Sequence, residues 1–268
     1  MAVLSTNVEY AEYDFSEAYI ETKGTLAAAS GASTNKLTYN AHGLNNGDVV
    51  SLADISGLSL VTAATRYYVV NKATNDFQVA ATPGGSAIAI GNSGSADVYY
   101  IKRWRLYYPN KVTPTNDTNK YEWKGGGRVL KLDQLAAQQL ALESATVPQY
   151  VHSNIFSKDS LTFQDGALTG SNAIGVGGGN DKNGVTVGMY LKCYAKKLVN
   201  GSEVGVVTRF YWYPTGTLTM TAARGLESGA NGPLQGYTFN ATPGNADIMG
   251  ATIAGFNSDE YYMTGEIA

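Results

Sequence analysis

The sequence holds very little of the chemistry on which most enzyme sites are built. Of its 268 residues, only one is cysteine and two are histidine. A single cysteine excludes an internal disulfide, and a catalytic thiol would need a histidine partner. His42 and His152 have no motif partners, so zinc ligation and a catalytic triad have no support. Cys193 occupies an apolar strand position, which predicts a small buried hydrophobe rather than a nucleophile.

Charge is also scarce. Charged residues make up 15% of the chain and the net charge is -3, so the basic footprint of a nucleic-acid-binding protein is missing. No apolar run approaches the roughly 20 residues that a membrane-spanning helix needs. The N-terminus carries acids instead of a basic region followed by an apolar core, so we expect no signal peptide and folding in a reducing cytoplasm.

What the chain does contain is glycine and tyrosine, with 31 and 19 residues, a balance typical of a loop-rich β protein. The clearest pattern runs over Gly184–Ala222 and predicts a meander that forms the core sheet. Asn200-Gly201 predicts a hairpin turn, Glu203–Tyr213 a return strand, and Pro214–Gly216 a turn into a third strand. In the first strand apolar residues alternate with polar ones, which places them on one face of a sheet. These apolar residues are Val185, Val187, Met189, Leu191, Cys193 and Ala195.

Two stretches of small residues, Gly24–Asn35 and Gly91–Ala96, read as linkers. They enclose a block of predicted short strands, which indicates a domain inserted at an exposed loop. The predicted organisation is 1–27 as an N-terminal arm or strand of the main domain, 28–95 as a small, surface-exposed all-β domain, and 96–268 as the main domain with a C-terminal tail. The strands predicted within the insert are Lys36–Ala41, Val49–Leu52, Arg66–Asn71 and Asp76–Ala80, followed by a turn at Pro83–Gly85.

The rest of the main domain is predicted to be mainly β, with one helix at Gln134–Ser144, capped by Asp133 and bearing an apolar side. A long glycine-rich loop at Ser157–Gly184 is expected to be functional or interface-forming. The remaining predicted elements are a strand at Asp97–Tyr108, a polar loop at Pro109–Asn119, a strand at Tyr121–Leu132, a final strand at Leu234–Thr242 and an acidic tail at Pro243–Ala268, ordered by a neighbour.

Two apparent ligand motifs in the long loop are incomplete. The glycine run Gly175–Gly184 lacks the Gly-Lys-Ser/Thr ending and the helix of a phosphate-binding loop. Asn180, Asp181 and Asn183 lack the acidic density and closing glutamate of a calcium loop, so a turn is favoured. The sequence therefore predicts no catalytic, cofactor-binding or metal-binding residue.

Two further interpretations stay open. Asp159, Asp165 and Glu203 could converge as the carboxylates of a glycan hydrolase, although solvated acids are favoured. The second is a sugar-stacking platform of exposed rings, against which core or subunit interface is favoured. The rings concerned are Tyr99, Trp104, Tyr107, Tyr108, Tyr211, Trp212 and Tyr213.

Two parts of the chain resemble known families. Ala41–Val50 (AHGLNNGDVV), Tyr67–Asn71 (YYVVN) and Phe77–Gly85 (FQVAATPGG) together resemble a small β module that recurs in bacteriophage virion proteins, often displayed on the particle surface. The remainder resembles the major tail (tail tube) proteins of long-tailed siphophages, which combine a β-sandwich or barrel, one helix, a long loop and an N-terminal arm. Gly236–Pro243 resembles their last strand, whereas the tail after Pro243 is longer than in that family.

The resemblance implies a non-enzymatic structural protein of the virion tail, made in the host bacterial cytoplasm. It implies hexameric rings that stack into a tube with other tail proteins, without cofactor or membrane. DNA would pass through the lumen without specific binding, which low charge suits because phosphate attraction would retard it. Sheets of neighbouring subunits would join into an inner barrel and so remove their free edges. The N-terminal arm and Ser157–Gly184 are expected at ring-to-ring contacts, and 28–95 on the outer wall.

Other functions remain possible on the sequence alone. The chain could be a capsid decoration, tail-terminator or baseplate protein, or a carbohydrate-binding adhesin module. Polymerisation without a ligand would favour the tube, and glycan binding lost on Trp212→Ala would favour the adhesin.

Overall fold

A computed structural model describes residues 8–32, 35–91, 93–106, 109–125, 128–144, 155, 160–164, 172–176, 184–220 and 235–267. These residues form strands and their connections, which confirms the prediction of a mainly β chain. None of the described segments is a helix long and apolar enough to cross a membrane. The strands are β1 (Val8–Ala32), β2 (Lys36–Thr38), β3 (Val49–Ser56), β4 (Arg66–Val70), β5 (Asp76–Ala80), β6 (Ser95–Leu106), β7 (Pro109–Gly125), β8 (Arg128–Ser144), β9 (Ser160–Gln164), β10 (Asn172–Val176), β11 (Val185–Val199), β12 (Ser202–Met220), β13 (Gln235–Ala241) and β14 (Met263–Ile267).

The chain divides into two compact units. The main unit takes residues 1–20, 104–243 and 261–268, and the barrel unit takes 21–103 and 244–260. β1 and β6 contribute to both units because the divisions at 20 and 103 fall inside them. The barrel unit contains all of the 28–95 segment and extends beyond it on both sides, with a second piece from near the C-terminus.

The strands of the barrel unit close on themselves. The order β2-β5-β4-β3-β6-β1 is completed by a further pairing between β2 and β1, in which Ser30 lies opposite Thr38. Where β6 meets β1, the amide of Gly31 donates to the carbonyl oxygen of Gly94 at 2.9 Å. Every strand of this ring therefore has a neighbour on both sides, the arrangement that removes sheet edges altogether.

Alternate side chains of these strands fill the barrel. In β5, for example, Phe77 and Val79 are fully buried while Asp76 and Gln78 are partly exposed. This is the period of two that a strand with one buried face requires. The buried residues of the barrel core are Leu26, Ala29, Leu37, Leu44, Val50, Leu52, Val61, Tyr67, Val69, Phe77, Val79, Ile90, Ala96 and Val98.

The main unit is built on the strand order β1-β11-β12-β13-β8-β7, with β14 also paired to β12. β13 pairs with residues 216–220 of β12 and β14 with residues 208–212, so the two strands lie along successive parts of one side of β12. The buried residues of its core are Ala18, Ile20, Leu106, Leu140, Leu142, Ile155, Val187, Met189, Leu191, Tyr213, Leu218, Tyr237 and Phe239.

The predicted helix at Gln134–Ser144 is wrong, because these residues belong to β8. They lie between β7 and β13, where Leu140 faces Phe239 and Leu142 faces Tyr237. Leu140 and Leu142 are buried while Gln139 between them is exposed, which is strand periodicity. Helix propensity is a weak preference that such tertiary pairing overrides.

The predicted turn at Pro214–Gly216 is also wrong. β12 continues through these residues, and the register against β11 shifts between Val187 opposite Gly216 and Met189 opposite Tyr213. The proline therefore lies in a β-bulge, one of the few places within a sheet that tolerate it. The predicted second and third strands of the meander are one long strand.

Three predicted loops or linkers contain strands. Gly24–Asn35 is largely the end of β1, and Pro109–Asn119 is the first part of β7. Within the predicted long loop Ser157–Gly184, β9 and β10 pair as a two-stranded antiparallel sheet in which Thr162 lies opposite Ile174. In each case the small or polar residues predicted a loop. The structure instead pairs these residues with a neighbouring strand, which satisfies their backbone hydrogen bonds.

The C-terminal tail is divided between the two units. In the barrel unit, residues 244–260 form a strap that buries its larger apolar side chains. In the main unit, Tyr261 is buried and β14 pairs with β12. The prediction of a tail ordered by a neighbour is wrong, because the tail packs on its own chain. The buried residues of the strap are Asp247, Met249, Ala251, Ile253 and Phe256.

Candidate assembly interface

The β11–β12 hairpin is the central feature of the main unit, and its two faces differ as the sequence predicts. Val187, Met189, Leu191, Cys193 and Ala195 are buried on one face. Residues between them are exposed or partly exposed on the other, apart from the buried glycine 188. The thiol of Cys193 is buried, and burial raises its pKa to about 11. The side chain therefore stays protonated at neutral pH, in agreement with the prediction of a small buried hydrophobe.

Opposite Cys193 and Leu191, the same face of the hairpin carries polar residues of β12. Arg209 of β12 donates to Glu12 of β1 at 2.9 Å and to the hydroxyl of Thr264 of β14 at 3.0 Å. Its guanidinium also lies 4.2 Å from the ring centre of Tyr10, in range for a cation–π contact. The hydroxyl of Tyr211 donates to Glu12. Burial, followed by this hydrogen bond, raises the pKa of Tyr211. The cluster joins three strands of one sheet.

A neighbouring group links β1 and β14 again, this time with β11. Tyr10 donates to Glu266 at 3.0 Å, and the ammonium group of Lys197 lies 2.8 Å from the same carboxylate. The hydrogen bond from Lys197 is the largest of the effects that lower the pKa of Glu266. Surface pairs of this kind add little stability singly, but here each charge already has a partner within its own subunit.

A second charged cluster lies on the opposite face. Glu17 accepts from Lys192 at 2.9 Å and pairs with Arg105 at 2.8 Å, and the hydroxyl of Tyr19 donates to it at 2.9 Å. The hydrogen bond from Lys192 is the main cause that lowers the pKa of Glu17. Next to this cluster, the ring of Tyr190 stacks on that of Phe210 with centres 5.6 Å apart.

The main sheet leaves strand edges open. β7 pairs with β8 and with no other described strand, so its outer side has no partner along residues 109–125. On the opposite side of the sheet, β6 runs antiparallel to β1 and ends at Leu106, shortly after Arg105 contacts Glu17. Residues 8–14 of β1 thus extend past β6, and no other described strand pairs with them there. The two edges lie on unlike strands at the two sides of one sheet.

A third open edge lies at the end of the hairpin. The described pairing of β14 with β12 runs as far as Thr208, and among the described strands residues 202–207 pair with β11. We call residues 202–207 the hairpin edge. Within it, Val204 and Val206 are 59% and 56% exposed. An open edge that carries apolar β-branched side chains is a template for another strand.

In the barrel unit, the buried His42 has hydrogen-bond partners within the same unit. Nε2 of His42 lies 2.9 Å from the carbonyl oxygen of Ala73, and Nδ1 accepts from the amide of Leu44 at 3.0 Å. Both ring nitrogens thus have a partner, and the ring packs against Phe77 at 5.0 Å between centres. His42 shapes the turn that follows β2, which is a structural role.

The strap closes around a buried carboxylate. Asp247 accepts from the amides of Met249 at 2.9 Å and Ala251 at 3.1 Å, and its other oxygen lies 3.5 Å from Nε of Arg66. Burial raises the pKa of Asp247, opposed by Arg66 and by the two amides. The amide of Thr252 donates to the carbonyl oxygen of Ala64 at 2.9 Å. These bonds attach residues 244–260 to the barrel.

The sequence-derived site candidates do not come together in the described part of the chain. Glu203 is exposed and pairs with Lys196 at 2.9 Å, and no group of acids, histidines and cysteine among the described residues is placed to hold a metal ion. The other candidates lie outside the described residues: His152, Asp159, Asp165, Asn180, Asp181 and Asn183.

The aromatic residues considered for a sugar-stacking platform also do not form a single surface in the described part of the chain. Tyr213 and Trp212 are 3% and 8% exposed and point to opposite faces of β12, while Tyr211 is held by Glu12. These three rings cannot form one solvent-facing platform, which favours the core interpretation. Tyr99 and Trp104 are partly buried on β6, and Tyr107 and Tyr108 lie outside the described residues.

Sequence reasoning missed the open edges and the strap. The signal for the hairpin edge was present in the run Glu203–Val207, where valines follow the Asn-Gly turn without a lysine or proline to protect the strand. The strap carries its signal in Met249, Ile253 and Phe256, apolar residues that a free acidic tail would not need. Comparisons with family models, with curated proteins and with solved structures found no match for this chain.

Proposed function

We propose that the chain is a structural virion subunit that assembles into stacked rings, and that these rings form the tail tube of a long-tailed bacteriophage. The observation that carries the proposal is the sheet of the main unit, in which β7 and the first part of β1 each lack a second neighbour among the described strands. The resemblance of Gly236–Pro243 to the last strand of tail tube proteins supports the same assignment.

The two edges suit a ring because they are unlike and lie on opposite sides of the sheet. Pairing β7 of one copy with β1 of the next is a head-to-tail contact, and such contacts close into rings or continue as filaments. Each new pair would extend the sheet into the neighbouring copy. After closure no lateral edge would remain, which is how barrels avoid uncontrolled pairing. The proposed ring is a hexamer, as the resemblance implies.

The charges of the main unit suit a conduit for DNA. Three of its cations are paired with carboxylates of the same subunit, Arg105 and Lys192 with Glu17 and Arg209 with Glu12. The chain as a whole is mildly acidic, with a net charge of -3. A wall built from mildly acidic subunits would attract passing phosphates weakly and would not retain the DNA.

The barrel unit is proposed to decorate the outer wall. Its strand ring is closed and therefore offers no lateral edge to a neighbour, so it adds surface without joining the sheet. Deleting residues 28–95 is a poor test of this placement, because the deletion would leave the apolar residues of the strap without their core. A label on Leu60, which is 75% exposed, leaves both pieces of the unit intact.

The test is negative-stain electron microscopy of the purified protein over a range of concentrations. We expect hollow rings and tubes without any added ligand. A maleimide-gold label on Leu60→Cys is expected on the outside of the tube, and the buried Cys193 gives the unlabelled background. A chain that stays monomeric at all concentrations would contradict the proposal. Label inside the lumen would contradict only the placement of the barrel unit.

A further inference from the structure

Two strands, β13 and β14, lie along the same side of β12, and each pairs with it over five residues. β13 is held there by its core side chains, because Tyr237 and Phe239 are 1% and 0% exposed. β14 is different, since none of its five residues is buried and Ile267 is 36% exposed. A strand with few buried contacts opens locally at a small cost in free energy. Core packing therefore does not account for the position of β14.

Polar side chains hold β14 instead, and Glu266 is at their centre. Its oxygen Oε2 accepts from the hydroxyl of Tyr10 on β1 at 3.0 Å and from the ammonium group of Lys197 on β11 at 2.8 Å. β1 and β14 flank the β11–β12 hairpin, so the bond from Tyr10 crosses over the hairpin and joins its two flanking strands. Arg209 of β12 also donates to Thr264 at 3.0 Å. The carboxylate thus fastens β14 to two strands beyond its own pairing partner.

β14 covers a part of β12 that would otherwise be an open edge. It pairs with residues 208–212, which pair with β11 on their other side. Without β14, the amide and carbonyl groups on one side of this segment would lose their partners. An open edge of this kind is a template for uncontrolled strand pairing, and a short covering strand is one way in which proteins protect it.

We propose that β14 is a guard strand over residues 208–212 of β12, and that the charged carboxylate of Glu266 is the latch that keeps it in place. Loss of this charge releases β14 and exposes the edge of β12, while the rest of the sheet stays folded. The device belongs to the single subunit, so it does not depend on whether the chain forms rings.

The latch is sensitive to pH through the charged and titratable groups that face Glu266 from three strands. These groups are Tyr10 on β1, Lys197 on β11 and Arg209 on β12, and Arg209 is itself bound to Glu12. The hydrogen bond from Lys197 is the largest of the effects that lower the pKa of Glu266 below its ordinary value of 4.5. The latch therefore contributes stability above pH 4.5 and loses it as the pH falls through the lowered pKa. Acidification is expected to open β14.

Two glutamate–lysine pairs on the same hairpin give a matched test. Glu266→Gln removes the charge of the latch and leaves an acceptor for Tyr10, so the variant is expected to fold with an unchanged melting temperature. Glu203→Gln is the control, because it removes the same charge from a pair of similar length, 2.9 Å from Lys196, that joins β12 to β11. Hydrogen exchange at neutral pH is then measured for β14, for residues 208–212 and for β13.

We expect Glu266→Gln to accelerate exchange at least threefold in β14 and in residues 208–212, and Glu203→Gln to leave both unchanged. Exchange in β13 should keep its rate in both variants, because core side chains hold that strand. Unchanged exchange of β14 in Glu266→Gln would overturn the inference, since the strand would then be held without the latch. Equal acceleration in β13 would also overturn it, since the effect would be a general loss of stability.

The pH profile gives a second readout. In the unmodified chain, the protection of β14 should fall as the pH is lowered from about 6 to about 3, whereas in Glu266→Gln it should be low throughout. The same profile in both chains would contradict the latch, because another acid would then control the strand.

Discussion

The barrel unit and the main unit are both antiparallel β structures, but they treat their strand edges in opposite ways. In the barrel unit every strand of the ring has two neighbours, and the pairing of β1 with β2 completes the circle. In the main unit β7, the first part of β1 and the hairpin edge each lack a neighbour on one side among the described strands. A closed sheet is complete by itself, and an open one invites a partner. This difference indicates that copies of the chain should assemble through the main unit and not through the barrel unit.

The largest expected effect is in the core of the closed unit. Phe77→Ala removes a fully buried ring that packs on His42, and we expect it to lower the free energy of unfolding of the barrel unit by about 3–5 kcal/mol. Pulse proteolysis in urea measures this loss. All three tryptophans, at positions 104, 123 and 212, belong to the main unit, so tryptophan fluorescence follows that unit separately. An equal shift in both signals would show that the two units unfold together.

The next effect concerns the strap. Asp247→Ala removes the acceptor of two buried amides and the carboxylate beside Arg66, which should cost about 3 kcal/mol, as for other broken buried pairs. Hydrogen exchange of residues 244–256 should accelerate, and ring formation should persist. The exposed Asp259, substituted in the same way, is the control. Unchanged exchange in the strap would mean that Asp247 does not hold it.

The bulge of the open sheet gives a smaller effect. A methyl group on Gly216 would meet the ring of Phe239 and would lie 2.6 Å from the carbonyl oxygen of Asn240. Gly216→Ala should therefore cost about 1–3 kcal/mol of overpacking, seen as a lower urea midpoint by tryptophan fluorescence. Thr217→Ala, on the next residue, should change the midpoint by less than about 0.5 kcal/mol. Equal effects of the two substitutions would contradict a tight contact at the bulge.

The smallest expected effect is a difference between the two units in how their stability depends on pH. Burial raises the pKa of Asp247 above its ordinary value of 3.8, so its folded form favours the proton and the barrel unit loses stability as pH rises through the raised pKa. The hydrogen bond from Lys192 lowers the pKa of Glu17 below 4.5, so the main unit loses stability as pH falls through the lowered pKa, by at most about 1 kcal/mol for such an exposed pair. Urea unfolding between pH 3 and pH 6 should move the two units in opposite directions, and Asp247→Asn and Glu17→Gln should each flatten one curve. If the stabilities of the two units changed with pH in the same direction, the assignment of these effects to Asp247 and Glu17 would be contradicted.

The local sequence pattern was sufficient to predict a strand wherever one face of that strand packs against a core. The alternation in β11 predicted its buried face, and Asp76–Ala80 was predicted with the bounds that β5 has. It was insufficient where a distant strand decides the outcome. Gln134–Ser144 has helix-forming composition, but Leu140 and Leu142 are held by β13, which lies about a hundred residues later. Pro214 predicts a turn from the sequence alone, but in the structure its strand pairs with β11 and the proline lies in a bulge.

The candidate interface could be predicted only in part for the same reason. Exposed valines after Asn200-Gly201 are visible in the sequence, but an edge is open only relative to strands that do not reach it. For residues 202–207 this depends on strands that are distant in the sequence, such as β14, whose described pairing with β12 runs to Thr208. The strap could not be predicted from composition either, because Asp247 pairs with Arg66, which is 181 residues away in the sequence.

The measurement that tests the central claim most directly is hydrogen exchange of the unmodified chain below and above the concentration at which it assembles. The open sheet should change and the closed barrel should not. We expect amides of β7 and of residues 8–14 to gain protection on assembly, while those of β4 and β5 keep the protection they already have. Assembly that protects the barrel strands and leaves β7 unchanged would contradict the account.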